Sequence, residues 1–237
     1  MYVQVCFHIE PYKDRTVASL RSNLSYIISR YGKHSAFYRR PGSNLPVYYI
    51  YDSYLVSSEQ WMKLLVENGS QDSIRGTALD GIFLGLVVDR IHLEQLIQSG
   101  FDGYYTYFAS DQFTYGSSMR NWASLAARAR QSNVLFVPSI GPGYDDVRIR
   151  PWNAKNTRNR RLGAYFEREF AAAVESHPHM ISITSFNEWH EGTQIEEAVP
   201  KQTADHRYVD YTPSDPDFYI QLSRKWTSVY AQQKLRQ

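Results

Sequence analysis

Short apolar runs alternate with amphipathic stretches along this chain. The runs are rich in β-branched and aromatic residues, which predicts strands at 2–9, 46–51, 81–88, 103–108, 134–140 and 181–184. Between them, hydrophobic residues recur three and four positions apart, which predicts helices beginning near residue 14 and at 58–65, 91–98, 121–132, 165–176 and 216–234. This alternation of strand and helix predicts parallel β–α–β units.

Local signals support the boundaries of these elements. Ser57 opens a Ser-Ser-Glu-Gln stretch typical of a helix start, and Gly100 is suited to end the preceding helix. Pro138 lies inside the fifth predicted strand, where it removes a donor from the ladder of hydrogen bonds. The polar stretch 148–160 is predicted to be a long loop.

Most of the predicted strands end in tyrosine, acidic, histidine or asparagine side chains. In parallel α/β folds the chemistry lies at the carboxyl ends of the strands, and a barrel brings several such ends to one site. We therefore predict an α/β fold of the (β/α)8 TIM-barrel type, with about six of the eight strand–helix units present. Residues 1–237 are expected to form one barrel domain, incomplete at its N-terminus.

The sixth predicted strand, a buried one, leads into the segment Asn187-Glu-Trp-His-Glu-Gly192. Residues three apart in a strand point to opposite faces, so Glu188 and Glu191 converge only if the chain turns after Glu188, as Gly192 allows. Two carboxylates facing one substrate are what glycosidic bond cleavage requires, one as acid and one as base or nucleophile. The alternative is that both are solvated acids of a loop.

Other chemistries find less support in the sequence. A zincin helix would need a second histidine four residues after His190, and position 194 is a glutamine, so no metal site is predicted. The stretch Gly141-Pro-Gly143 favours a structural turn over a phosphate loop, because proline removes an amide donor. We find no dinucleotide or nucleotide-binding glycine motif and expect no cofactor.

Composition narrows the function further. The net charge is +2 without a long basic run, which gives no support for nucleic-acid binding. The 19 tyrosines suit a surface that stacks on sugars, although they also suit core packing. The single cysteine, Cys6, excludes an internal disulfide, and we predict neither a membrane segment nor a signal peptide in this chain. Sequons occur at Asn23 and Asn68.

Several of these segments together resemble the glycoprotein endo-α-1,2-mannosidase family, glycoside hydrolase family 99, and its vertebrate branch in particular. The resemblance extends over almost the whole chain and is carried by the segments 8–15, 49–54, 100–103, 105–108, 138–144, 149–153, 156–160 and 182–196. The last of these, which contains Asn187-Glu-Trp-His-Glu191, is the longest and most specific.

The resemblance implies a barrel that cleaves internal α-1,2-mannosidic bonds of glucosylated high-mannose N-glycans with retention. The implied route passes through a 1,2-anhydro sugar, with Glu188 as the base and Glu191 as the general acid, and Glu10 near the reacting 2-hydroxyl. Further substrate-binding residues carried over from the family are His8, Tyr12, Tyr51, Asp52, Tyr107, Arg150, Trp152, Arg158, Asn187 and Trp189. For His8 the alternative is a hydrogen-bonded core histidine.

The resemblance also implies that the protein is a monomer and acts on the lumenal side of the Golgi membrane. The anchor of the family and two strands before residue 2 have no counterpart here. We therefore expect a fragment, a short isoform or a truncated gene model that is poorly stable and has little or no activity. A barrel lacking adjacent strands would expose unpaired edges.

Three alternatives remain open at this point. The chain is a carbohydrate-binding protein without catalysis, a non-functional short isoform, or a glycosidase for another linkage. Substituting each glutamate by glutamine separates an enzyme from a lectin, because only an enzyme has turnover to lose.

Overall fold

The computed structural model describes residues 6–10, 14–67 and 70–236. Residues 2–5 of the first predicted strand and the sequon at Asn68 lie outside the described residues. The chain consists of two compact units. The first comprises Met1–Tyr105 and Ala127–Phe136, and the second comprises Thr106–Ala126 and Val137–Gln237.

The first unit is built on a sheet of strand order β1-β2-β3-β4-β5. Its strands are β1 (Phe7–Ile9), β2 (Val47–Ile50), β3 (Ile82–Leu86), β4 (Gly103–Tyr105) and β5 (Leu135–Val137). The pairs β1–β2, β2–β3 and β3–β4 are parallel, as the alternation with helices predicts. Every residue of β3 and β4 is buried, which is why these runs are continuously apolar or aromatic.

Helices follow the strands at nearly the predicted places: α1 (Val17–Tyr31), α2 (Ser58–Leu65), α3 (Arg90–Gln98) and α4 (Met119–Gln131). The α1 helix starts at Thr16, whose hydroxyl accepts the amide of Ser19, and it buries Val17, Leu20, Leu24 and Ile27 on one face. Each such buried aliphatic side chain stabilises the fold by roughly 1.5–3 kcal/mol.

Arg75 ties together the loops that precede β3 and β4. Its guanidinium donates to the carbonyls of Leu65, Gly81 and Gly100 and pairs with Asp80 and Asp102 at 3.1 and 3.0 Å. These contacts lie before the strands begin, at the end of the sheet opposite to the strand termini where chemistry was predicted. Arg75 is therefore a structural arginine of the first unit.

The second unit contains the parallel pair β6 (Ser139–Ile140) and β7 (Ser182–Ile183) together with α5 (Ala164–Glu175) and α6 (Phe218–Lys234). Two predictions are wrong here. The single strand 134–140 is divided into β5 and β6 at Pro138, which has no amide hydrogen for a ladder. The loop predicted at 148–160 contains a 3-10 helix, Pro151–Asn156, whose first position suits proline.

The strand before the glutamate pair also differs from its prediction. β7 is only two residues long, and its residues are half-buried, not buried. In the described part of the chain β7 pairs with β6 alone, so its other edge has no strand partner to cover it. The prediction of a fully buried strand is wrong, although the strand itself and its parallel direction are confirmed.

Candidate active site

Four predicted residues of the first unit lie together where β1 and β2 end. The ring of His8 stands edge-on to Tyr51, with 5.1 Å between centroids, and its Nε2 is 2.8 Å from the hydroxyl of Tyr105. Packing around the ring lowers the pKa of His8, and the charges of Glu10 and Asp52 partly oppose this. His8, Glu10, Tyr51 and Asp52 thus form one local cluster. His8 is hydrogen-bonded but exposed, so the alternative of a core histidine is wrong.

Asp52 is placed by a strained backbone. Its φ of 48° lies in the left-handed region, which is uncommon for a residue with a side chain. Its Oδ1 accepts the hydroxyl of Tyr54 at 2.8 Å, and burial together with this bond raises the pKa of Tyr54 to about 12. The Tyr54 ring in turn stacks on His92 with centroids 4.7 Å apart. Tyr54 and Tyr105 were not predicted as part of this cluster, although both lie in segments that carry the resemblance.

In the second unit, the chain turns immediately after Glu188. The amide of Thr193 donates to the Glu188 carbonyl at 3.2 Å, and the amide of Gly192 donates to the Trp189 carbonyl at 3.4 Å. Gly192 has a φ of +60°, the left-handed conformation that a side chain disfavours. The amide of Ser185 closes the base of the loop by donating to the Thr193 carbonyl at 3.0 Å. The turn that the spacing of the glutamates requires is confirmed.

The two glutamates of this loop have different surroundings. Glu188 is exposed, and its Oε1 accepts the backbone amide of His190 at 3.1 Å. Glu191 is half-buried, and its Oε1 accepts Nη1 of Arg150 at 2.9 Å. The backbone carbonyl of Glu191 also accepts the amide of Asp145, at 2.8 Å. Glu191 is therefore held at both its side chain and its backbone, whereas the Glu188 carboxylate faces solvent.

A buried carboxylate, Asp146, anchors the arginine that holds Glu191. The Asp146 side chain is fully buried and accepts three donors: Nη1 of Arg150 at 3.1 Å, the hydroxyl of Tyr144 at 2.9 Å and Nδ2 of Asn153 at 2.9 and 3.0 Å. Bonds to Asp146 and Glu191 raise the pKa of Arg150, so it stays a cation. Burial, and after it the charge of Glu191, raises the pKa of Tyr144, which keeps the phenol neutral.

The other predicted residues of the second unit fall into two groups. Trp189 and Asn187 lie on the same loop as the glutamates, and the Trp189 indole donates to Glu196 Oε2 at 2.9 Å. Tyr107, at φ 61°, is fixed by backbone bonds to Ser139 and Thr184 at 2.7 and 2.5 Å.

Trp152 and Arg158 form the second group, since neither is part of the Glu191 network. Trp152 is 79% exposed on the 3-10 helix, and Arg158 bonds the carbonyls of Asp111 and Thr157. Tyr12 lies outside the described residues.

Sequence reasoning missed several residues of this site: Tyr144, Asp146, Asn153, Arg160 and Glu196. Tyr144, Asn153, Arg160 and Glu196 all lie in segments that carry the resemblance, but none of them was assigned a role. Asp146 lies outside these segments and follows another aspartate in a polar stretch, where nothing local distinguishes a buried anchor from a solvated acid.

Over 6–10, 14–67 and 70–236, no three histidine, cysteine, aspartate or glutamate side chains are grouped so that they could hold a metal ion. No helix in the same residues is sufficiently long and apolar to span a membrane.

Comparison with known proteins supports one family. The family model described as Glycosyl hydrolase family 99 matches residues 1–232. The chain is 51% identical over 236 residues to a rat protein named glycoprotein endo-alpha-1,2-mannosidase, covering 98% of this chain and 51% of that protein. It is 50% identical over 235 residues to a human glycoprotein endo-alpha-1,2-mannosidase-like protein, with coverage of 98% and 51%. The chain thus spans about half the length of these relatives.

The fold comparison agrees with the sequence comparison. The structure of the GH99 endo-alpha-mannosidase from Bacteroides thetaiotaomicron matches with a TM-score of 0.93 and 45% identity, over 98% of this chain and 67% of that one. This match confirms the predicted α/β fold of the barrel type, of which the chain contains part. With a family model that matches nearly every residue and relatives at half identity, the resemblance seen in the motifs is confirmed, and the chain belongs to glycosyl hydrolase family 99.

Proposed function

We propose that this chain is an endo-acting, retaining α-1,2-mannosidase that acts on glucosylated high-mannose N-glycans, with Glu188 and Glu191 as its catalytic residues. The observation that carries the proposal is the turn after β7, which places both glutamates on one loop and holds Glu191 on the Arg150–Asp146 pair. Membership of family 99 and relatives named as endo-α-mannosidases support the bond type.

The reaction begins with proton removal from the sugar itself. The exposed Glu188 carboxylate takes the proton of the 2-hydroxyl, and O2 attacks C1 from the face opposite to the leaving group. The bond from C1 to the glycosidic oxygen breaks, and Glu191 protonates that oxygen. The products of this step are a 1,2-anhydro mannose and the remaining glycan.

The second step returns both glutamates to their starting states. Glu191 now takes a proton from water, whose oxygen attacks C1, while Glu188 returns its proton to O2 as the three-membered ring opens. Because C1 is inverted twice, the product keeps the α configuration. Each glutamate thus acts once as an acid and once as a base.

The contacts of the two glutamates suit different roles. One guanidinium, that of Arg150, bonds two carboxylates, Asp146 and Glu191. The carboxyl group of Glu191 is thereby held in one place, as a group that delivers a proton to one defined oxygen requires. Glu188 has no cation as a partner in its described bonds; its carboxylate accepts a backbone amide.

The sugar-contacting residues are proposed unit by unit. In the first unit they are His8, Glu10, Tyr12, Tyr51 and Asp52. In the second unit they are Tyr107, Arg150, Trp152, Arg158, Asn187 and Trp189. The 79% exposed Trp152 is suited to stack on a sugar ring, because it is an aromatic face open to solvent. Arg158 is the weakest of these, since its guanidinium is already bonded to backbone carbonyls.

We extend the proposal to the setting in which the enzyme works: the lumenal side of the Golgi, as a monomer, where glucosylated N-glycans are trimmed. Asn23 is exposed on α1 and carries a sequon, so glycosylation there is the marker of passage through the secretory route. The test is endoglycosidase treatment of the chain and of Asn23→Gln. Treatment should remove a glycan from Asn23 of the unchanged chain and so lower its mass, and this mass shift should be lost in Asn23→Gln. A chain found unglycosylated in the cytosol would contradict this setting.

The activity itself is tested with a glucosylated high-mannose oligosaccharide. We expect release of a glucosyl-mannose disaccharide whose first-formed anomer is α by NMR. Glu188→Gln and Glu191→Gln should each lower turnover at least about 100-fold, the usual contribution of a general acid or base. Glu197→Gln, an exposed glutamate of the same segment, is the matched control and should retain turnover.

The same assay separates the alternatives. Calorimetric binding of the oligosaccharide without any release by the unsubstituted chain would show a carbohydrate-binding protein and overturn the proposal. Release of a product with inverted anomeric configuration would overturn the two-step route but not the glycosidase assignment.

A further inference from the structure

We infer that Arg160 is the positioning residue of the catalytic loop: it holds the backbone on which Glu191 is carried and never contacts the sugar. Its Nη2 donates to the carbonyls of Gly192 and Gln194, both at 2.8 Å. These carbonyls immediately follow Glu191 and flank Thr193, whose own amide and carbonyl close the turn. The inference rests on the proposed function, since it names the residue that orients the proposed acid.

Arg160 is an unusual half-buried cation. Within the described part of the chain it forms no ion pair, whereas Arg75 and Arg150 each pair with two carboxylates. Its guanidinium lies instead over two tyrosine rings, 5.2 Å from the centroid of Tyr211 and 4.6 Å from that of Tyr219. Burial lowers its pKa, and the two tyrosines oppose that change. Aromatic faces thus take the place of a counter-ion.

That no carboxylate among the described residues pairs with Arg160 fits a positioning role near the reaction centre. A carboxylate at this place would add a negative charge beside a loop that already carries Glu188 and Glu191. Backbone carbonyls and aromatic faces hold the arginine without adding such a charge. The hydroxyl of Tyr211 strengthens the same link by donating to the carbonyls of Gln194 and Glu196, at 3.0 and 2.7 Å.

Arg160 therefore holds the loop backbone after Glu191, while Asp145 and Arg150 hold Glu191 itself. Asp145 donates its amide to the Glu191 carbonyl, and Arg150 holds the Glu191 carboxylate. Without Arg160, the Glu191 carboxylate stays bonded to Arg150, but the backbone that carries Glu191 is less constrained. Small displacements of a catalytic group are costly for turnover and less so for binding.

The test compares Arg160→Gln and Arg160→Lys with Arg75→Lys. Arg75 is a half-buried arginine of the first unit that also binds several carbonyls. The first measurement is hydrogen–deuterium exchange of the amides of Ser185 and Thr193, which close the loop. Arg160→Gln should speed exchange there, Arg160→Lys should speed it less, and Arg75→Lys should leave it unchanged. This measurement does not depend on turnover.

The second measurement is kinetic, on the glucosylated oligosaccharide. Arg160→Gln should lower kcat about 10- to 100-fold with KM within about threefold of the unsubstituted chain, the pattern of a mispositioned catalytic group. Arg160→Lys should recover much of the loss, because one ammonium can donate to both carbonyls. Arg75→Lys should lower the melting temperature without this loss of kcat.

A cavity of about 300 Å³ beside Arg160 makes a third measurement feasible. Its lining includes Tyr144, Arg158, Gly192 and exposed residues such as Leu162, so it reaches solvent. Arg160→Gly would extend this space, and millimolar guanidinium should enter it and restore turnover about tenfold, without effect on the unsubstituted chain. A merely structural arginine would not give selective rescue of kcat.

The outcomes separate this inference from the proposed function. Unchanged exchange at Ser185 and Thr193 in a folded Arg160→Gln variant, or kinetics that match Arg75→Lys, would overturn the positioning role. Unfolding of all three Arg160 variants would also overturn it, since the residue would then act in the fold as a whole. Absence of turnover in the unsubstituted chain would refute the proposed function alone, while the exchange result would still decide the role of Arg160.

Discussion

Asp146→Asn tests the charge arrangement around the proposed acid most directly. The substitution keeps the shape of the side chain but removes the negative charge of a fully buried group that accepts three donors. All three donors reach Oδ2, so an asparagine that keeps its oxygen there places its own NH2 group at the Oδ1 position. That buried NH2 group then faces Nδ2 of Asn153, which is also a donor, and has no acceptor there. Arg150 is then left with Glu191 as its only carboxylate.

The effect on stability follows from these bonds. An unsatisfied buried donor and the loss of charge-assisted bonds should lower the free energy of unfolding by about 2–4 kcal/mol. This loss is smaller than for a fully buried ion pair because the Arg150 side chain is 43% exposed. For a chain of this length that corresponds to a fall in melting temperature of roughly 4–16 °C. Differential scanning calorimetry measures it, with the exposed Asp205→Asn as control.

The effect on catalysis follows from the arginine that the two carboxylates share. Asp146 Oδ2 and Glu191 Oε1 bond the same nitrogen of Arg150 at 3.1 and 2.9 Å. Without the charge of Asp146, Arg150 loses the buried anchor that holds it beside Glu191, so the proposed acid is held less precisely. Displacing a catalytic group is more costly for turnover than for binding.

Asp146→Asn should therefore lower kcat about 10- to 100-fold, with KM within about threefold of the unsubstituted chain. Asp205→Asn should leave kcat unchanged. An unchanged kcat in Asp146→Asn, with the protein folded, would show that Asp146 does not position the proposed acid.

Three further outcomes are expected. Burial raises the pKa of Glu169 to about 8, above its ordinary value of 4.5, so the folded state binds the proton more tightly than the unfolded state. The free energy of unfolding should therefore fall as pH rises between these two values, and Glu169→Gln should flatten this fall when unfolding by denaturant is measured at pH 5, 6.5 and 8. The same pH dependence in both proteins would contradict the assignment. Gly192→Ala places a Cβ in a left-handed conformation against Asp145 and should cost about 1–2 kcal/mol of unfolding free energy together with turnover; Gly76→Ala, left-handed but with open space around it, should cost stability alone. Trp152→Ala should leave the melting temperature nearly unchanged and weaken oligosaccharide binding about 2- to 10-fold by calorimetry, the loss of one stacking contact; unaltered affinity would remove Trp152 from the sugar site.

The periodicity of hydrophobic residues along the chain predicts most of the helices and strands of the fold. The α2 helix was predicted at 58–65 and observed there, and the other helices differ by at most three residues at either end where both bounds were predicted. Such predictions succeed because helix caps and buried faces depend on neighbours three or four positions away. The division of one strand at Pro138 and the half-buried state of β7 were not foreseen, because both depend on which strands pair.

The glutamate loop shows the same division between local and distant causes. Its location after a strand, its turn and the left-handed Gly192 follow from residues within a few positions of each other, and the residue pattern indicated them without coordinates. Only the folded chain brings Arg150 to Glu191, 41 positions away. The same is true of the buried Asp146, which bonds Arg150, and of the half-buried Arg160, which bonds the loop backbone. Identical residue types in a polar stretch are solvated or buried according to what packs on them, and hydrogen bonds between distant segments leave no periodic trace in a sequence.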